Sequence, residues 1–222
     1  MRGWQHGSHR LRRRPLMDPS SPTAGPALPP ASGPVAAARD CREELLALLR
    51  PGASLTGSGR DERIRELLER LERLQPADLT IQAAALSGVW ELRWSSSSLP
   101  YLATQPWLEN LQVLDPAAGR AMNLLRLAGP LGPVAGIAVQ ARISIPPDPP
   151  HQRVTVRFER GGWLGPRWGG GRLQLFREVR QGFPAWLDVT VLDDALRISR
   201  GNAGTLFALL RRPDLDRASL LP

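Results

Sequence analysis

Four ionisable residues crowd one stretch near the C-terminus, LDDALRISRGNAGTLFAL at 192–209: the adjacent Asp193 and Asp194, then Arg197 and Arg200. Carboxylates beside guanidinium groups can serve proton transfer, hold a cation or bind an anion. Each of those tasks needs partners, and the chain is poor in them. Its three histidines are His6 and His9, near the start, and His151, in a Pro-rich loop. None is placed by strand periodicity beside a serine or an acid, so a nucleophile–base pair is missing. His151 reads as a solvated loop histidine. The single cysteine, Cys41, excludes an internal disulfide and any Cys-rich metal site. Asp193 and Asp194 have no further acids nearby, and Asp-Asp between two apolar runs is ordinary turn chemistry. No cofactor and no metal is expected, and the chain does not read as an enzyme.

The segment GGWLGPRWGGGR, 161–172, has the glycines of a phosphate loop but lacks Gly-Lys-Ser/Thr and a following helix. A flexible hairpin is the better reading. Of the seven tryptophans, Trp90 reads as core. Trp163 and Trp168, with Leu164 between them, are candidates for contact with a membrane surface, where an apolar ring with one polar N–H is well suited. An arginine of the late strand, Arg197 or Arg200, is positioned to lie across the ring of Trp90 after Gly88, closing one end of a barrel through its carbonyl partners and the π-face.

Residues 1–38, rich in Pro, Ala, Ser and Gly, have little to pack and should be disordered. An arginine-rich, acid-free start is compatible with a plastid transit peptide, although Met17 is an equally good initiator. From 39 to 86 the pattern is helical: DCREELLALLR at 40–50 ends at Pro51-Gly52, and Ile64, Leu67, Leu68, Leu71 and Leu74 recur at helical spacing before Pro76. At Gly88 the period becomes two. In GVWELRWS one face takes Trp90, Leu92 and Trp94; in GIAVQARISI, Ile137, Val139, Ala141, Ile143 and Ile145; in RVTVRF, Val154, Val156 and Phe158. GRLQLF, WLDVTVL, ALRISR and TLFALL follow at short spacing, and weaker strands fall near 110–115 and 121–127. About eight or nine strands after two helices give an α+β class, mainly β, with an antiparallel barrel over 87–212 and a tail at 213–222.

The net charge of +8 invites a nucleic-acid reading. Five of the 29 basic residues, all arginine, lie in the first sixteen positions, so the rest of the chain is close to balance. No basic stripe of the kind a phosphate backbone demands is present, and nucleic acid is not an expected partner. No apolar run approaches the roughly 18–20 residues of a spanning helix, so contact with a membrane is expected to be peripheral.

LSGVWELRWSSS, the preceding LLERLERLQP helix, Asn123 in AMNLL, and above all WLDVTVLDDALRISRGNAGTLFAL resemble the plastid lipid-associated protein/fibrillin (PAP/fibrillin) family of cyanobacteria and plastids, over residues 40–211. Leu192, Asp193, Leu196, Arg197, Ile198, Arg200, Gly201, Gly204 and Phe207 fall where that family has them; Val191 stands where it commonly has tyrosine. The resemblance implies a lipocalin-like barrel, a cyanobacterial-type member peripherally associated with thylakoid membranes or lipid bodies (in a plastid if eukaryotic), and small hydrophobic ligands: a carotenoid, a prenylquinone or an acyl lipid. It also implies partnership with enzymes of isoprenoid metabolism. The inward candidates for lining a cavity are Trp94, Ile143, Val156, Phe158, Leu175 and Phe207. The competing expectation is an adaptor that coats a membrane or recruits enzymes around a filled barrel, since strand alternation looks the same for a packed core and a lined pocket.

Overall fold

The computed structural model describes Met1 and residues 33–221, apart from 54–55, 100–101, 103, 133 and 135, so most of the tail expected over 1–38 lies outside the described residues. Helix α1 spans Pro34–Leu49 and α2 spans Gly57–Leu74. α1 begins ahead of the expected boundary at 39. Pro34 sits in its first turn, where a missing N–H is no loss, and the alanines that follow propagate the helix well. A short α3 (Leu79–Gln82), capped by the Asp78 carboxylate, runs into a 3-10 turn at Ala83–Leu86.

Nine strands follow: β1 (Gly88–Ser95), β2 (Leu108–Asp115), β3 (Arg120–Leu127), β4 (Gly136–Ser144), β5 (Arg153–Trp168), β6 (Gly171–Glu178), β7 (Ala185–Leu192), β8 (Leu196–Gly201) and β9 (Leu206–Arg211). A last helical turn, α4, spans Arg217–Leu220. All strand pairs are antiparallel, in the order β4-β3-β2-β1-β9-β8-β7-β5-β6. β5 also pairs with β4, so the sheet closes on itself into a ring. The long β5 makes this closure and then outruns it. Arg153 to Val156 pair with β7, whereas Arg160 to Trp168 pair with β6. The β5–β6 hairpin turns at Gly169-Gly170, both at positive φ, a conformation that glycine adopts without strain.

Three apolar clusters organise the molecule. Outside the ring, Leu45, Leu49, Ile64, Leu67, Leu68 and Leu71 of α1 and α2 pack on Val191, Leu196, Ile198, Leu206 and Ala208. Inside it, Trp90, Leu92, Ala121, Ala141, Ile143, Val154, Val189 and Leu209 meet Ala77, Leu79 and Leu86, which plug one end. A third cluster joins Leu111, Val113, Met122, Leu124 and Leu164 to Leu220 of α4, so the segment after β9 packs on the outer face of the sheet.

Trp94 departs from the face expected for it. A bulge between Leu92 and Trp94 shifts the β1–β9 register and turns the indole outward, under the helices, where its Nε1 donates to Asp61 Oδ1 at 2.8 Å. Trp94 therefore joins the helix–sheet core and does not line the interior. Leu175 also lies elsewhere: β6 stands outside the closed ring, and its leucine is 67% exposed.

Candidate functional site

The ring encloses a cavity of about 350 Å³. Its apolar lining includes Leu114, Ala141, Ile143, Val154, Val156, Phe158, Phe207 and Leu209, from strands around the circumference. Four of the residues expected to face inward, Ile143, Val156, Phe158 and Phe207, thus come together on one wall system. Leu99 and Phe183, both exposed, also line it and mark the open end.

The closed end is built on Gly88 and Trp90. Trp90 is fully buried, and its Nε1 donates to the Leu86 carbonyl at 2.9 Å, tying β1 to the 3-10 turn. Two guanidinium groups flank the ring: Cζ of Arg197 lies 5.3 Å and Cζ of Arg211 lies 4.2 Å from its centroid. Arg211 Nη1 donates to Ser87 O, Nη2 to Ala85 O and Nε to Asp194 O, so it satisfies its charge with carbonyl groups. Gly88 has φ +138°, and a Cβ there would meet Arg211 Nη1 at 2.5 Å. The positive φ favours glycine, and a Cβ would also push the Arg211 guanidinium off its carbonyl partners.

Arg200 takes no part in this closure. Alternation puts it with Leu196 and Ile198 on the helix-facing side of β8, where its Nε donates to Glu72 Oε1 at 2.8 Å and anchors α2. The arginine that joins Arg197 at the tryptophan is Arg211, at the end of β9. Parity could have found it, since Phe207, Leu209 and Arg211 alternate along β9 and the first two face the interior.

Arg197 and Ser199 project into the cavity from β8, beside Gln112 and Asn123 of β2 and β3. Arg197 Nη2 donates to Gln112 Oε1. Its Nε and the Ser199 hydroxyl are buried without a hydrogen-bond partner among the described residues. Burial, aided by Arg211, pushes the guanidinium down to about 9, which leaves it cationic at neutral pH. Polar groups at the inner end and apolar walls toward the mouth make this an amphiphilic pocket.

The Asp-Asp corner is structural. Asp193 Oδ1 accepts the backbone N–H of Ala195 and of Leu196, each at 2.8 Å, forming the β7–β8 turn. Arg42 of α1 donates to both Asp193 oxygens, at 2.6 and 3.0 Å, and to Asp194 at 3.3 Å. Burial pushes the Asp193 carboxyl up, but the Arg42 and backbone hydrogen bonds prevail and hold it below the usual carboxylate range. No cluster of metal-ligating side chains occurs among the described residues. His151 is half-buried rather than solvated; its carbonyl accepts the Leu79 N–H at 2.7 Å and seats α3.

Beyond the ring, the inner face of the sheet continues uncovered onto the β5–β6 hairpin. Ile137, Trp163 and Leu175 pair across three strands on this face and are 63%, 41% and 67% exposed. Val179 packs near Gly161 beside Val139, which lines the cavity, so the apolar row is continuous with the mouth. Trp168, near the hairpin turn, is 79% exposed, whereas Leu164 points to the opposite side and is fully buried with Leu111 and Val113. Leu164 is therefore a core residue and drops out of the surface candidates.

Among curated proteins none matches the chain. The PAP_fibrillin family model matches residues 43–168 and 172–210, which covers the C-terminal part of α1, all of α2 and the nine strands almost completely. With the closing Trp90, the Asp193 corner and the enclosed cavity all inside the matched span, the chain belongs to the PAP/fibrillin family of lipid-associated plastid proteins.

Proposed function

We propose that this protein is a non-enzymatic carrier or scaffold that takes a small hydrophobic molecule into a lipocalin-like barrel, at the surface of a thylakoid membrane or lipid body. The observation that carries the proposal is the cavity, walled by apolar side chains and open at the Leu99–Phe183 end. Its volume of about 350 Å³ lies near the lower end of ligand pockets. That size suits an acyl chain or the terminal part of a prenylquinone or carotenoid, with the remainder leaving through the mouth. Burying about 300 Å² of ligand surface at about 25 cal/mol per Å² is worth about 7.5 kcal/mol before the costs of association.

The exposed Ile137–Trp163–Leu175 row supports a peripheral membrane contact next to the mouth, because ligand could then pass between lipid and barrel without crossing water. The same hairpin region presents exposed Arg157, Arg160, Arg177 and Arg180, which favours an anionic lipid surface. Enzymes of isoprenoid metabolism are the partners this role would serve.

Uptake of the neutral fluorophore N-phenylnaphthylamine tests the proposal. Wild-type protein should bind it, and Phe158→Glu or Val156→Glu, each placing a carboxylate on the cavity wall, should abolish uptake in a folded protein. Equal uptake by both variants would place the ligand outside the barrel.

A further inference from the structure

We infer that the ligand is an amphiphile with a carboxylate head, bound head-first so that the carboxylate meets Arg197 and Ser199 at the inner end of the cavity. This deepens the carrier reading and rests on it. The argument begins with an accounting of charge. Arg197 is 1% exposed, yet no carboxylate among the described residues pairs with it; its partners are the Gln112 amide oxygen and the face of Trp90. Three arginines nearby are satisfied: Arg42 by Asp193, Arg200 by Glu72, Arg211 by three carbonyl groups. Buried cations are costly unless paired.

The unpaired donors also have a direction. Arg197 Nε and Ser199 Oγ are on alternate residues of one strand, both line the cavity, and both are buried without hydrogen-bond partners among the described residues. Two adjacent donors on one wall, one of them cationic, match the two oxygens of a carboxylate. Arg211, whose Cζ lies 4.2 Å from the Trp90 ring centroid, adds a second positive charge to the same end. The walls between this end and the mouth, from Ile143 and Val156 to Phe158 and Phe207, are apolar and accept a hydrocarbon tail. A neutral isoprenoid would leave the cation unpaired; an acid pairs it. The reading therefore favours acyl or isoprenoid acids over quinones and carotenes.

The test compares dodecanoic acid with methyl dodecanoate, which differ only at the head, by displacement of N-phenylnaphthylamine at pH 8. The acid should bind wild-type protein about 10- to 100-fold more tightly than the ester, the range for a hydrogen-bonded charge. Arg197→Met should lose this preference while still binding the ester, which reports an intact cavity. Should Arg197→Met fail to fold, Ser199→Ala supplies the second variant, expected to narrow the ratio by about threefold to tenfold through loss of one donor. Equal affinity of wild-type protein for acid and ester would overturn the carboxylate assignment and leave the carrier reading intact. Failure of acid, ester and fluorophore alike to bind would overturn both.

Discussion

Asp193 offers the sharpest test of whether the acidic corner is architecture. Its carboxylate carries two loads at once: it closes the β7–β8 turn through the N–H groups of Ala195 and Leu196, and it receives a two-point contact from Arg42 of α1. Replacement by asparagine retains an acceptor for the turn but removes the charge, and should cost about 1–2 kcal/mol, the difference between a charged and a neutral hydrogen-bonded pair. Alanine removes both and should cost about 3 kcal/mol, adding about 1 kcal/mol for the lost turn cap. A double-mutant cycle with Arg42→Ala should return a coupling of about 1–2 kcal/mol. The pH dependence has a defined sign. Because folding depresses the carboxyl pKa, the contribution is fully present above the unfolded value near 4 and is lost as pH falls through the folded one. Urea unfolding at pH 7 and at pH 3 measures this directly: the deficit of Asp193→Asn should shrink at the lower pH. A fully stable Asp193→Ala, or a deficit that does not change with pH, would refute the structural reading of this corner.

Four further variants have outcomes set by the geometry. Gly88→Ala, which forces a side chain into a positive-φ position against Arg211, should destabilise by about 2 kcal/mol or more in the same unfolding assay. Trp94→Phe, which loses the hydrogen bond to Asp61 beneath α2 and part of a buried indole that Arg65 overlies, should cost about 1–3 kcal/mol yet leave fluorophore uptake unchanged, because Trp94 lies outside the cavity. Flotation with phosphatidylglycerol vesicles should be lost when Trp163 and Trp168 are both changed to alanine, and should weaken with salt, whereas Leu164→Ala should lower stability by about 2–5 kcal/mol as a core truncation.

Much of this fold was legible because each element obeys a period. The leucine stripe of α2 and the two-residue alternation of β4, β5 and β8 identify helix and strand without tertiary information. The misplacements have local physical causes. Trp94 was put inside because alternation was extended across a bulge, and an extra residue inverts every later side chain. Leu175 obeys alternation correctly but on a strand that leaves the ring, and whether a strand closes a barrel depends on pairing partners far away in the chain. For Arg200 the parity was available: Leu196, Ile198 and Arg200 share one face of β8, and Arg197 and Ser199 the other. An arginine on the interior face conflicts with the usual apolar-in pattern, and such conflicts between local rule and location concentrate at functional sites. Trp90 as the closing aromatic was readable from its place after Gly88, and its second arginine was available by the same parity, because Phe207, Leu209 and Arg211 share one face of β9.

The most direct test of the carrier account is organic extraction of the protein purified from its native source, followed by chromatography and mass spectrometry of what is released. The account predicts a stoichiometric hydrophobic molecule, an acid if Arg197 sets the head group, and its absence from Phe158→Glu prepared in the same way. An empty extract from well-folded wild-type protein would contradict the account and move the function to the exposed Trp163 face and the helices.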